Sequence, residues 1–148
     1  MTTSKQAGNI LPFSFDNIPV RGRAICLNKL QQFIPAIKNN EPFTQGLIKE
    51  CLAAVILFQD DLKADQSVTL QLVASGTISL VIAQALPDGT IKAYANVDDS
   101  NTIDNFADFI KTKPKMVMTV ENKGKSYQSI IPVETTSLTE ALIAYYKQ

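Results

Sequence analysis

The segment CLAAVILF, at residues 51–58, constrains the fold of this chain more than any other stretch. It contains no polar side chain, so a helix through it is apolar on every face and has to pack against other structure on more than one side. Glu41 and Pro42 suit the start of such a helix, and Asp60 and Asp61 follow the apolar run. Charges on both sides lie too close together for a membrane span, which needs about 20 apolar residues. The sequence therefore predicts a buried central helix.

Much of the remaining chain has the two-residue hydrophobic period of β-strands. Predicted strands occupy residues 10–15, 18–28, 67–76, 77–86, 90–97, 115–120 and 126–133. The turn sequences PDG at 87–89 and ENKGK at 121–125 are typical of hairpins. We expect Gly76 to adopt a positive φ in the turn between the third and fourth strands. Connections this short favour antiparallel pairing.

Three further helices complete the pattern. One covers residues 27–37, where Pro35 has to shorten or kink it, and another covers residues 102–111. The last begins with the capping box of Ser137 and Glu140 and meets no Gly or Pro stop. Either this helix frays at the end of a complete domain, or the chain is the first part of a longer protein. The order of elements predicts an α+β fold, with mostly antiparallel sheets packed around the buried central helix.

Composition argues against several kinds of partner and reaction. Lys and Arg total 14, as do Asp and Glu, and like charges form no long run, so we expect neither nucleic acid nor a membrane as partner. The chain has no histidine, which removes Ser-His and Cys-His nucleophile pairs and most catalytic zinc sites. Its six glycines are scattered singly and form no phosphate-binding loop.

The remaining candidates for chemistry have simpler structural interpretations. Adjacent residues on a helix end or a turn point apart, so we expect the aspartate pairs at 60–61 and 98–99 to be solvated caps. Cys26 and Cys51 stand alone among apolar residues and are expected to be buried, reduced thiols, which fits a cytoplasmic protein. The first 15 residues lack the apolar stretch of a secretion signal. We predict a protein that is not an enzyme.

Two predicted strands near the C-terminus are apolar on both faces, in KMVMTV at 115–120 and SIIPV at 129–133. One interpretation is that both strands are buried on both sides. The alternative is that one face is exposed and binds proteins that have lost their fold, with the methionines adapting to irregular surfaces. Under this alternative the candidate client-binding residues are Met116, Met118, Ile130 and Ile131.

Several motifs occur in an order and spacing that resemble one known family. They are VRG at 20–22, LIKECLAAVILFQDDLK at 47–63, VTLQL at 68–72 followed by Gly76, IKAYANV at 91–97 and YQSIIPVETTSLTEALIAYY at 127–146. Together they resemble the N-terminal domain of the redox-regulated holdases, the 33 kDa chaperonins or heat shock protein 33 family of the bacterial cytosol. The resemblance extends from about Phe13 to the last residue. Where the family often has glycine-rich turns, this chain has Ala74, Lys113 and Ser129.

The resemblance implies that residues 1–148 are the chaperone core, an ATP-independent, stress-response domain that binds unfolded or aggregation-prone clients and dimerises on activation. In the family a helical linker and a C-terminal zinc domain follow this core, and neither is present in this chain. The zinc domain's four cysteines provide the redox control. Cys26 and Cys51 match none of them, so no cofactor is expected here. With the linker absent, the client-binding face should already be open.

Two other functions stay open at this point. Arg21, Gly22 and Arg23 either form a strand bulge with solvated or ion-paired arginines, or line a small-ligand pocket together with Tyr127. The chain could also supply only a homodimer interface, as a scaffold that does not bind clients by itself.

Overall fold

The computed structural model describes residues 9–148. The strands are β1 (Ile10–Phe15), β2 (Ile18–Ile25), β3 (Gln66–Val73), β4 (Ile78–Ala85), β5 (Ile91–Val97), β6 (Lys115–Asn122) and β7 (Lys125–Pro132). The helices are α1 (Leu30–Phe33), α2 (Pro35–Lys38), α3 (Pro42–Asp61), α4 (Phe106–Ile110) and α5 (Leu138–Tyr146). The prediction about a secretion signal rests partly on residues 1–8, which lie outside the described part.

Two antiparallel sheets organise these elements. One pairs β1 with β2, and the other has five strands in the order β5-β4-β3-β6-β7. Every neighbouring pair in the larger sheet is antiparallel, in keeping with its short connections. The predicted α+β fold with mostly antiparallel sheets is confirmed.

Helix α3 is the buried helix that the sequence predicts. It contacts β3, β4 and β5, and none of residues 51–58 is exposed. The sheet presents alternate side chains on its buried face, among them Leu70 and Leu72, which are 0% and 1% exposed. The register places Met118 opposite Leu70 and Met116 opposite Leu72, so β6 extends the same apolar face. The core therefore lies on one face of the five-stranded sheet, with α3 packed against it.

Two helices have different bounds from those predicted, each for a local reason. Pro35 divides the predicted helix into α1 and α2, and Ile34 between them is extended, with φ −121° and ψ 102°. Helix α4 begins at Phe106 because Asn105 caps it, with Asn105 Oδ1 accepting a hydrogen bond of 2.8 Å from the Asp108 N–H. The proline break is confirmed, and α4 is shorter than predicted.

Gly76 does not have the positive φ that we expected. A Cβ at this position would lie 2.3 Å from Thr112 Cγ2, so glycine is required there by a close approach of two loops. The glycines with positive φ in residues 9–148 are Gly89 and Gly124, at 87° and 79°. Lys113 has a φ of 53°, so the chain takes the left-handed conformation at that turn without a glycine.

The two cysteines lie in different environments. Cys51 is 0% exposed in α3, and burial raises the pKa of its thiol, as expected for a buried cysteine. Cys26 is exposed, so the prediction that it is buried is wrong. The reason is its position directly after β2, a strand of the small sheet whose side chains are mostly exposed.

Candidate functional site

The two-stranded sheet of β1 and β2, residues 10–25, is here called the ribbon, and it carries a dense exposed apolar surface. Five of the eleven exposed large apolar side chains in residues 9–148 belong to it, namely Leu11, Phe13, Phe15, Ile18 and Val20. Leu11 and Phe13 are two residues apart on β1 and therefore share a face. An isolated two-stranded sheet buries little apolar surface of its own. This face of the ribbon is accordingly open to solvent.

Gly22 shapes the apolar face of the ribbon. The register pairs Gly22 with Phe13, and a Cβ at Gly22 would lie 2.1 Å from Phe13 Cζ. The Phe13 ring therefore occupies the space directly over the glycine. Phe15 meets Phe13 edge to face, with ring centroids 5.9 Å apart. The two rings form one aromatic surface whose position depends on the absence of a side chain at residue 22.

The other face of the ribbon carries the arginines and is attached to the end of α3. Arg23 Nε lies 2.6 Å from Asp60 Oδ2, and Arg23 Nη1 bonds Asp61 Oδ1. Asp60 and Asp61 are both exposed, as expected for solvated side chains, but they do not point apart, because one guanidinium binds both carboxylates. The arginines were expected either to be solvated or ion-paired or to line a small-ligand pocket, and Arg23 is ion-paired. Arg21 forms no salt bridge within residues 9–148.

A cleft of about 570 Å³ lies between the ribbon and the end of α3. Its lining residues are Pro12, Phe13, Ser14, Arg21, Gly22, Arg23 and Asp61. The cleft brings together both arginines of the small-ligand hypothesis, but Tyr127 lies on β7 and does not line it. The pairing is regular at residues 21–23, so the bulge expected at Gly22 does not form there; the register shifts instead between Ser14, which pairs with Arg21, and Phe15, which pairs with Ile18.

A second apolar surface crosses the five-stranded sheet on the face opposite its core. The register aligns one residue from each strand in a single row, which we call the cross-sheet row: Tyr94, Ile82, Gln71, Val117 and Ile130. Directly opposed residues of an antiparallel pair point to the same side, so these side chains are neighbours. Tyr94 and Ile130 at the two ends are 55% and 59% exposed.

Polar pairs border the cross-sheet row. Gln84 Nε2 donates a hydrogen bond of 3.0 Å to Thr69 Oγ1, and Gln128 Nε2 donates one of 3.2 Å to Thr119 Oγ1. Each bond joins neighbouring strands of the larger sheet. This face is therefore mixed in polarity, whereas the ribbon presents a more concentrated apolar surface.

The four candidate client-binding residues do not lie on one surface. Met116, Met118 and Ile131 are 1%, 2% and 4% exposed and lie on the buried face of the sheet. Ile130 is 59% exposed, because consecutive strand residues point to opposite sides. The interpretation that both strands are buried on both sides is wrong for β7, whose second face is exposed at Ile130. On β6 the second face is largely covered, since Val117 is half-buried and Thr119 is buried. The role of these residues in client binding stays a prediction, and Ile130 alone among them is accessible in this conformation.

Helix α5 forms a third apolar feature at the end of α3. The predicted cap is confirmed, with Ser137 Oγ accepting a hydrogen bond of 3.2 Å from the Glu140 N–H. Tyr146 stacks on Phe58 with ring centroids 4.9 Å apart and planes 2° apart. A groove of about 460 Å³ opens beside this stack, and its lining includes Met118.

Sequence reasoning did not identify the ribbon as an apolar surface. The signal was the alternation of Leu11, Phe13 and Phe15, which correctly predicted a strand. Alternation indicates that one face is apolar, but it does not show whether another layer covers that face. The topology shows that β1 and β2 pair only with each other within residues 9–148, so no further strand extends their sheet.

The acidic side chains and cysteines of the described residues are dispersed or solvated. Residues 9–148 contain no group of three or more His, Cys, Asp or Glu side chains placed to hold a metal ion. Asp98 accepts a hydrogen bond of 2.9 Å from the Ser100 N–H, which lowers the pKa of its carboxyl, and both Asp98 and Asp99 are exposed. The prediction of a solvated turn at 98–99 is confirmed.

None of the helices within residues 9–148 has the length and apolar character that crossing a bilayer requires.

The curated relatives of this chain are named 33 kDa chaperonins. A 33 kDa chaperonin of Neisseria gonorrhoeae (strain NCCP11945) is 29% identical over 140 residues, which cover 92% of this chain and 46% of that relative. The 33 kDa chaperonin of Vibrio parahaemolyticus is 29% identical over 142 residues, covering 95% of this chain and 49% of the relative. The chain thus spans about half the length of the curated relatives it matches.

A solved structure and a family profile complete the comparison. The crystal structure of the 33 kDa chaperonin from Thermotoga maritima superposes with a TM-score of 0.53 at 17% identity, over 68% of this chain and 36% of that chain, and so shares the fold. The profile of the family described as Hsp33 protein matches residues 8–148. A match over nearly the whole chain decides the assignment: this protein belongs to the Hsp33 family.

Proposed function

We propose that this chain is a holdase domain, which binds unfolded or aggregation-prone proteins through the apolar face of the ribbon. The observation that carries the proposal is the exposure of Leu11, Phe13 and Phe15 on one short sheet, at 64%, 47% and 54%. Contiguous exposed apolar surface is typical of sites that bind other proteins. Membership of a family whose relatives are named chaperonins supports a chaperone function.

The physical basis of holding is burial of apolar area on both partners. Each Å² of apolar surface removed from water contributes about 25 cal/mol. An unfolded client exposes apolar segments that are buried in its native state. The ribbon therefore binds unfolded proteins in preference to native ones. Gly22 leaves the space that the Phe13 ring occupies, so the aromatic surface is already formed before a client binds. Nothing in this mechanism consumes a nucleotide, and we propose that holding is independent of ATP.

Regulation is proposed to come from outside this chain. The relatives are about twice as long as the part matched here. We propose that this chain corresponds to the chaperone core. A linker that covers apolar surface, and a zinc domain that releases it on oxidation, would provide redox control of the full-length protein. Neither zinc binding nor redox sensing is proposed for Cys26 or Cys51. We propose a cytoplasmic location for the protein.

The test is suppression of light scattering from a thermally unfolding model protein, with this chain in excess and without ATP or oxidant. We expect suppression by the unmodified chain and a clear loss with the double variant Phe13→Ser and Phe15→Ser. Ile143→Ser is the matched control, because Ile143 is 49% exposed and belongs to α5 rather than to the ribbon. Ile130→Ser tests the cross-sheet row in the same assay. Equal holding by the unmodified chain and the double variant would remove the ribbon as the binding surface.

The scaffold function is the main alternative. If the folded chain suppresses no aggregation but sedimentation shows a dimer, it supplies an interface and client binding resides elsewhere in the full-length protein. Increased fluorescence of an apolar-surface dye, lost in the double variant, would show separately that the ribbon is exposed in solution. Absence of that fluorescence would contradict an open ribbon.

A further inference from the structure

A polar cavity lies at the start of α3, on the side of the molecule formed by the loops after α2 and after β5. Its volume is about 280 Å³, which is just below the size range of pockets for drug-sized ligands. Its lining residues are Asn39, Asn40, Glu41, Thr44, Thr77, Ile78, Val97, Asp99, Asn101, Thr102 and Ile103. It is separate from the ribbon and from the cross-sheet row.

The inner part of the cavity contains donors that lack partners. Thr44 is 3% exposed, and its hydroxyl forms no hydrogen bond with any of residues 9–148. In the described residues the fully buried side-chain polar atom without a partner is Asn122 Oδ1, so the Thr44 hydroxyl is not sealed off and can be reached from the cavity that Thr44 lines. Glu41 is the N-cap of α3 but makes no side-chain capping bond, so the N–H groups of the first turn also lack that partner. This end of the cavity is suited to bind an anionic group.

The remaining lining has the opposite electrostatic character. Glu41 and Asp99 are exposed carboxylates that take part in no salt bridge within the described chain. Neither lysine nor arginine lines the cavity. A simple anion would be repelled by the two carboxylates, and a simple cation would leave the Thr44 hydroxyl and the helix N–H groups without an acceptor. A ligand that carries both charges satisfies both sets of groups.

We propose that this cavity binds a small zwitterion of the free α-amino acid class. The ligand carboxylate accepts hydrogen bonds from the Thr44 hydroxyl and the first turn of α3. Its ammonium group binds the carboxylates of Asp99 and Glu41. The apolar lining residues Ile78, Val97 and Ile103 accommodate a small aliphatic side chain. This function is independent of client binding by the ribbon.

The first experiment compares three probes of one carbon skeleton by amide NMR on the full chain. L-valine carries both charges, isobutylamine carries only the cation, and isovalerate carries only the anion. We expect saturable shifts of the amides of Glu41, Phe43 and Thr44 and of residues 99–102 with L-valine, and weak or no shifts with the other two. Equal binding of isobutylamine would indicate only an acidic cluster, and equal binding of isovalerate would indicate only a helix end. Either result, or no saturation with L-valine, overturns the proposal.

Two variants then assign the contacts. Thr44→Val keeps the shape of the side chain and removes its hydroxyl, and Asp99→Asn removes one carboxylate at an exposed position. Each is expected to weaken L-valine binding about tenfold, the effect of losing a hydrogen bond to a charged group. Asp104→Asn is the control, because Asp104 is exposed nearby but does not line the cavity. Unchanged affinity in folded Asp99→Asn would overturn the proposed orientation even if Thr44→Val did not fold.

Discussion

Arg23 Nε lies 2.6 Å from Asp60 Oδ2, and this contact joins the ribbon to the last turn of α3. The same guanidinium also bonds Asp61, so two successive carboxylates hold one arginine. All three side chains are partly exposed, between 37% and 56%. The position of the apolar ribbon relative to the core therefore depends in part on ion pairs that water and salt can reach.

Removing this contact is expected to loosen the ribbon with little effect on overall stability. Exposed ion pairs typically contribute about 0–1 kcal/mol. Arg23→Met should therefore leave the global denaturation midpoint nearly unchanged while amide hydrogen exchange speeds up in residues 10–25. High salt should produce part of the same change in the unmodified chain. Arg21→Met is the control, and equal acceleration in both variants would show that the ion pairs do not hold the ribbon.

Gly76 and Gly46 are expected to respond in opposite ways to the same substitution. A Cβ at residue 76 would lie 2.3 Å from Thr112 Cγ2, and Thr112 is held by its hydrogen bond of 2.6 Å to the Phe109 carbonyl. Gly76→Ala should therefore destabilise the fold by about 1–3 kcal/mol. A Cβ at Gly46 in α3 meets nothing within 4 Å, so Gly46→Ala should stabilise it by about 0.5–1 kcal/mol.

Urea denaturation of the two glycine variants provides the measurement. Combining Gly76→Ala with Thr112→Ser removes the Cγ2 atom and keeps the hydroxyl, so it should recover part of the lost stability. A neutral Gly76→Ala variant would mean that the two loops separate without cost, contrary to the close approach in the structure.

Local sequence rules predicted the parts of the fold that depend on neighbouring residues. The start of α3 at Pro42, the break at Pro35 and the cap at Ser137 all follow from backbone geometry or from bonds within one turn. Apolar alternation likewise located every strand of both sheets. These features were therefore accessible from the sequence.

The errors concern features that depend on contacts between distant segments. Gly76 is needed because Thr112 approaches it, and residues 60–61 converge because Arg23 lies between them. Cys26 is exposed because the ribbon containing β2 stands outside the main sheet. The exposure of the ribbon's apolar face also depends on distant segments. Alternation shows which side of a strand is apolar, but it does not show what packs against that side.

Lys113 is expected to be a site where glycine stabilises the protein. Its φ of 53° is unfavourable for a residue with a side chain, by about 1–2 kcal/mol. Glycine relieves this strain but gains freedom in the unfolded chain, so we expect Lys113→Gly to raise stability by about 0.5–1 kcal/mol. Lys113→Gln removes the charge and keeps the strain, and should resemble the unmodified chain in urea denaturation. Stabilisation by both variants would assign the effect to charge.

Glu140 is expected to make the stability of α5 depend on acid pH. Its Oε2 accepts hydrogen bonds from the Thr136 hydroxyl at 2.8 Å and the Thr136 N–H at 3.0 Å, and these lower the pKa of the carboxyl below its ordinary value of 4.5. A lowered pKa in the folded state gives stability that is present above pH 4.5 and is lost as the pH falls through the folded value.

Glu140→Gln should therefore lower the thermal midpoint slightly at pH 7, and the difference from the unmodified chain should shrink as the pH falls below 4.5. Thermal denaturation followed by circular dichroism at several pH values measures this difference. Glu134→Gln is the matched control, because the Glu134 side chain accepts no hydrogen bond within residues 9–148. A difference for Glu140→Gln that stays constant from pH 7 to pH 3 would mean that the Thr136 bonds do not distinguish the charged carboxylate from its neutral form.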